Sequence, residues 1–335
     1  MKRPCHLHND EVGMTTLHIT ALREELGFGA CVQGVTLENI GTEAVHADLV
    51  RLFDAAGMIV FSDIEPTAEL QVAISTIAGP LKEHLQKSVP RVDQEGLPGV
   101  IEISSAPQQE QTIALAGEVR AGWLPWHFDH CYNDQLNRGA VLRALEVPSA
   151  DGMTGFLDGI LLYEKFSPEL RKEIEGHNIL YRMNVIMENF HFGRPQRYEV
   201  LAEHPKSQAV MDEMAGQPRA IHPAVWTRAT GEKVLHVSPW MAEGIQGAEN
   251  PAGDALLEEV CREIFDIAEQ HSYFHQWKTT DMVIWDNWRM LHAVSGHPPL
   301  NRRRMHRTTI AGDYGLGRFE ASDVAPSTAL GEITF

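Results

Sequence analysis

Trp123-Leu124-Pro125-Trp126-His127-Phe128-Asp129 is an aromatic-rich run in which a histidine and an acid stand two positions apart. In extended chain, residues i and i+2 point to the same side, so His127 and Asp129 can reach one ion from a single strand. His-x-Asp arises readily in a chain with 46 acids and 17 histidines, and it occurs twice more, at His8-Asn9-Asp10 and His46-Ala47-Asp48. Local context separates the three. His46 and Asp48 belong to Val45–Ala56, where Val45, Leu49, Leu52 and Phe53 recur at helical spacing, and residues two apart on a helix diverge by about 200°. His8 and Asp10 fall in a polar N-terminal stretch with no period. His127 and Asp129 alone suit a buried pair on a strand. The plainer alternative is a core histidine hydrogen-bonded to a nearby acid.

Further along, Met282-Val283-Ile284-Trp285 reads as a buried strand, Asp286-Asn287 breaks it in a turn, and His292 opens the next apolar stretch. Two imidazoles and one carboxylate on one face of an ion leave its other face open, which is the donor set of non-heme Fe(II) oxygenases. Next comes Asn301-Arg302-Arg303-Arg304-Met305-His306-Arg307-Thr308-Thr309-Ile310. As a strand it places Arg303, Met305, Arg307 and Thr309 on one face and Arg304, His306 and Thr308 on the other. Two arginines facing inward are costly unless they meet carboxylates, so this is a place prepared for a small dianion. The competing reading is a solvated basic edge strand.

Strand-like runs recur at Leu17–Thr20, Met58–Phe61, Gly99–Ser104, Gly139–Val147, Val234–Val237, Met282–Trp285 and Thr308–Ala311. Helical runs are expected at Val45–Ala56, Leu70–Ile77, Ile160–Glu175 with a break near Pro168, and Ala255–Glu269. The order indicates an α+β protein, mainly β, on a mostly antiparallel sheet. The expected organisation is one domain over residues 15–316, between tails at 1–14 and 317–335. With 335 residues, 43% of them hydrophobic, the chain can bury a large core. Its net charge of −18 disfavours nucleic acid and anionic membranes as partners. It opens without a signal-peptide core, no stretch is apolar enough to span a bilayer, and Cys5, Cys31, Cys131 and Cys261 form no CxxC pair. A cytoplasmic protein with reduced thiols is expected, working as a homo-oligomer (dimer or tetramer) on a small-molecule substrate.

Four segments then resemble the Fe(II)/2-oxoglutarate-dependent dioxygenases of the taurine dioxygenase and 2,4-dichlorophenoxyacetate dioxygenase family: Trp126–Asp129, Pro148–Phe156, Trp285–Asn287 with His292, and Arg303–Thr309. The spacings also agree, because Thr154 lies 27 positions after His127, and Arg303 and Arg307 lie 11 and 15 after His292. The resemblance implies a double-stranded β-helix (jelly roll, cupin-like) core with flanking helices. It implies that His127, Asp129 and His292 bind Fe(II), that 2-oxoglutarate meets Arg303 and Thr154, and that O2 completes the reaction. Arg307 is expected to hold either the cosubstrate or an anionic group of the substrate. The implied reaction is hydroxylation or oxidative cleavage at an unactivated C–H of a small organic substrate, anionic and aromatic, with release of succinate and CO2. Departures from the family pattern at Phe128 and His130, together with Trp123 and Tyr132, suggest an apolar, aromatic mouth, and His84 and Lys87 are expected to point toward it. Two rival readings are a Zn(II) hydrolase and a non-catalytic binding protein on the same fold.

Overall fold

The computed structural model describes residues 17–82, 91–93, 97–107, 109–320 and 332–333. Among these it is mainly β, with six α-helices and sheets of ten, six, four and two strands. Successive strands alternate between the two larger sheets. Glu118–His127, Thr154–Asp158 and Met290–His297 belong to the six-stranded sheet, while Gly139–Glu146, Met282–Asp286 and Arg303–Ile310 belong to the ten-stranded one.

Side-chain parity explains the layering. Val60, Leu142, Val283, Trp285 and Met305 leave one face of the ten-stranded sheet and join Trp126, Phe156, Leu291 and Ala293 of the other sheet in the main core. The intervening residues Ile59, Phe61, Val141, Met282 and Ile284 leave the opposite face and pack on Val45, Leu49, Phe53, Leu70 and Ile74, which lie on the helices Glu43–Ala56 and Ala68–Ser75. Both faces are therefore buried, so these strands read as unbroken apolar runs. The expected helix break is present: Gly159–Lys165 ends before Pro168, which opens Pro168–Ile174. The longest helix, Pro251–His271, is capped by Asn250, whose side chain accepts from the amides of Ala252 and Gly253.

Strand pairing crosses one expected boundary. The expected C-terminal tail begins at residue 317, yet Arg318–Phe319 pairs with Ala220–Pro223, and Glu320 accepts from Arg219 through both carboxylate oxygens. A two-residue strand carries no periodic signal, so only its partner reveals it. Residues 1–14 lie outside the described residues. Arg303–Ile310 is also not an edge: it pairs with Gly139–Glu146 on one side and Leu97–Ser105 on the other. No helix of the described residues is long and apolar enough to cross a membrane, and Cys31, Cys131 and Cys261 are free thiols.

Candidate metal centre and cosubstrate cavity

His127 and His292 come together because their strands pair antiparallel with these two residues directly opposite. The next described pair is Leu124 with Val294. One strand therefore advances three residues while its partner advances two, a β-bulge. Pro125 lies inside it, where a residue without an N–H is tolerated. The bulge reverses the facing of everything upstream. Leu124, not Trp123, lines the cavities beside the metal ligands. Trp123 instead packs on Phe190 and Tyr198, with ring centroids 6.0 and 5.7 Å away. The expectation that Trp123 faces the substrate is corrected on this ground: strict alternation places it there, and one extra residue turns it away.

Asp129 also differs from the expected picture. The strand ends at His127, and Asp129 is held just beyond it by Asn287. Its backbone N–H donates to Asn287 Oδ1 at 2.7 Å, and Asn287 Nδ2 donates to Asp129 O at 3.1 Å and to Asn137 Oδ1 at 3.1 Å. Sequence reading takes Asn287 only as a turn former, whereas it splices the two ligand-bearing segments. Asn287→Ala is expected to remove about 2–3 kcal/mol of stability, since it orphans buried partners, and to weaken metal binding about 10–100-fold. Urea unfolding and Fe(II) titration measure both, and an unchanged metal affinity would contradict this role.

One donor atom from each of His127, Asp129 and His292 lies within 4.8 Å of the others, and all three residues are buried. His127 Nδ1 donates to Pro125 O at 2.8 Å, which leaves Nε2 as the free lone pair. Asp129 divides its oxygens. Oδ1 faces His292 Nε2 at 3.6 Å, and Oδ2 accepts from Arg307 Nη2 at 2.6 Å. Burial opposes ionisation of Asp129, but the Arg307 guanidinium outweighs it and holds the carboxyl well below its usual range. Burial also keeps both histidines neutral, helped by the Arg307 charge. A carboxylate and two neutral imidazoles are the protonation states a divalent ion requires. The donor set fits Fe(II).

Arg303 is placed differently from Arg307. It is buried, its Nε donates to Gly152 O at 3.2 Å, and Nη2 donates to Thr154 Oγ1 at 3.4 Å. Among the described residues no carboxylate pairs with it. Burial pulls its pKa down to about 10, with Glu110 pulling the other way. Gly152 makes this possible: it sits at φ +67°, and a Cβ there would come within 2.4 Å of Pro148 Cγ. Trp277 Nε1 also donates to Thr154 Oγ1, at 3.0 Å, so the threonine proton is left for another acceptor.

Two adjoining cavities meet at this centre. The smaller, about 240 Å³, is lined by His127, Asp129, His292, Thr154, Arg303 and Arg307. The larger, about 450 Å³, shares His127, Asp129 and Arg307 and adds Tyr132, Trp240, Met183, Met187 and Lys206. Tyr132 lines the larger cavity. Phe128 also lines this cavity, with its ring stacked on His236 at 3.9 Å. His84 and Lys87 lie outside the described residues. Glu110, Trp240 and Trp277 were not foreseen, because no fixed spacing ties them to the ligands.

Glu110 lines both cavities. Burial pushes its carboxyl up to about 7, with Arg303 opposing. The folded value lies above the ordinary 4.5, so its contribution to stability is fully present below about 4.5 and is lost as pH rises through about 7. Glu110→Gln is expected to flatten that dependence and to be the more stable form above about pH 7. Denaturation at about pH 5 and about pH 8 tests this; parallel losses in both proteins would contradict it.

Residues 18–309 match the family described as "Taurine catabolism dioxygenase TauD, TfdA family". The chain belongs to this family. It is 28% identical over 294 residues to the (S)-phenoxypropionate/alpha-ketoglutarate-dioxygenase of Sphingobium herbicidovorans, covering 85% of this chain and 92% of that one. It is 26% identical over 291 residues to the alpha-ketoglutarate-dependent 2,4-dichlorophenoxyacetate dioxygenase of Cupriavidus pinatubonensis, covering 85% and 95%. Among solved structures, a taurine dioxygenase from Burkholderia xenovorans superposes with a TM-score of 0.65 at 22% identity, covering 91% of this chain and 97% of that chain. AAD-2 in complex with Mn(II) and N-oxalylglycine gives 0.64 at 21%, covering 89% and 98%. The protein is a 2-oxoglutarate-dependent non-heme iron dioxygenase, and its cofactors are Fe(II), 2-oxoglutarate and O2. Neither the hydrolase nor the non-catalytic reading is favoured by these relatives.

Proposed function

We propose that this TauD/TfdA-family dioxygenase hydroxylates, or oxidatively cleaves, an unactivated C–H of a small organic acid with an apolar body. The observation that carries the reading is the convergence of His127, Asp129 and His292 where two cavities meet, one of them containing a buried arginine that forms no ion pair among the described residues. The alternation of strands between two sheets supports a double-stranded β-helix (jelly roll) as the scaffold.

His127, Asp129 and His292 hold Fe(II). Bound there with 2-oxoglutarate and O2, the metal supplies oxidative decarboxylation to succinate and CO2 coupled to oxidation of the substrate C–H. The residues do the rest. Arg303 takes the far carboxylate of 2-oxoglutarate in the smaller cavity, where a planar guanidinium can make two parallel charge-assisted bonds. The spare Thr154 proton adds a third. Arg307 steadies Asp129 through Oδ2, which accounts for an arginine at that spacing without assigning it to a ligand. The larger cavity receives the substrate, and Met183, Met187, Met241, Val185 and Trp240 exclude water from the reacting C–H. Its size suits a small ligand, and the acids named for the two relatives support the substrate class.

The test is a screen of carboxylates, sulfonates and aromatic acids for substrate-dependent O2 uptake with equimolar succinate. Uptake stimulated by organic acids with apolar bodies is the expected result. A response confined to small sulfonates would contradict the substrate class.

A further inference from the structure

The larger cavity has a charge pattern that orients its occupant. Beside the metal ligands, the Arg307 charge is already matched by Asp129, and the shared wall carries an acid, Glu110. Much of the remaining lining is apolar, with Met183, Val185, Met187, Val210, Trp240 and Met241, and a second acid, Glu102, also lies on the wall. At the exposed end stand Lys206 and His204. They sit just ahead of the helix Ser207–Met214, and the backbone N–H of Lys206 donates to His204 Nδ1 at 3.0 Å. Lys206 makes no ion pair among the described residues. An uncommitted cation at the rim of a deep apolar chamber whose floor is neutral or acidic favours one orientation of an amphipathic anion.

We propose that the substrate enters apolar end first, with its single anionic group held at the mouth by Lys206, His204 beside it. The C–H presented to the metal then belongs to the apolar end and not to the carbon next to the anion. This rests on the reading that the larger cavity takes the substrate. It gives Lys206 the part of a specificity-determining residue, and it predicts a preference for chains long enough to reach from rim to floor.

The test uses the wild-type protein loaded with Mn(II) and N-oxalylglycine, which cannot turn over, and a series from phenylacetate to phenylhexanoate with the matching primary amides. Calorimetric titration gives the affinities. Phenylhexanoate is expected to bind about twofold to fivefold more tightly than its amide, the scale of one ion pair at a solvent-exposed rim, and more tightly than phenylacetate. Lys206→Glu should abolish the preference for the acid, and Lys206→Met, which keeps the length and removes the charge, should abolish it as well. Equal binding of acid and amide to the wild type, a preference that survives both variants, or no binding by any member of the series would each overturn the inference. Failure of the wild type to take up Mn(II) and N-oxalylglycine would overturn the functional reading first, and this one with it.

Discussion

His127→Ala leaves a folded protein that no longer forms succinate. The ring is buried, but among the described residues it bonds only to Pro125 O and packs on His292 at 4.0 Å and on Trp240 edge-on at 4.9 Å, so truncation opens a small cavity and breaks no ion pair. Loss of an outer-shell partner already weakens metal binding about 10–100-fold, so loss of a direct ligand is expected to exceed about 100-fold. Asp129→Ala is a poorer probe. It strands Arg307, about as buried as its partner, and breaking a buried pair costs about 3–5 kcal/mol. Lost activity in that variant would mix unfolding with lost coordination. The informative comparison is Fe(II) affinity against unfolding free energy in His127→Ala. Retained affinity with full activity would remove His127 from the ligand set.

Arg303→Ala produces the second large effect, on the cosubstrate. A buried guanidinium gripping a carboxylate is worth about 2–5 kcal/mol when truncated, which is roughly 30-fold to several thousand-fold in the 2-oxoglutarate requirement. Two features place this variant at the upper end. Arg303 is itself buried, and Thr154 is held by Trp277 to work beside it. Arg303→Lys should recover part of the loss, because an ammonium supplies charge without the forked geometry. The 2-oxoglutarate dependence of succinate formation at saturating substrate reads this directly. An unchanged requirement would move the carboxylate site away from Arg303.

The two arginines show how far the sequence could be read. Alternation on one strand puts both on the inner face, and both line the smaller cavity. Their separate partners are invisible in the sequence, because Asp129 and Gly152 reach them from distant segments. Strands buried on both faces, such as Met58–Phe61 and Met282–Asp286, were legible as apolar runs, and the helix around His46 and Asp48 was legible as a period. Trp123 was misread for a local reason: counting by twos fails across a bulge, and Pro125 was its only sign. Asp129 gains its place from Asn287, 158 residues away, a contact that no local pattern encodes. Trp277 and Trp240 come from segments whose spacing to the ligands obeys no rule, so only the folded chain brings them to the site.

The most direct measurement is an anaerobic titration of the protein with Fe(II) and then 2-oxoglutarate, followed by visible absorption. A charge-transfer band that saturates at one equivalent of each, and is missing in His127→Ala, is the predicted result. A mixture that stays colourless while the wild type is folded and the iron is retained would contradict chelation of 2-oxoglutarate at this centre.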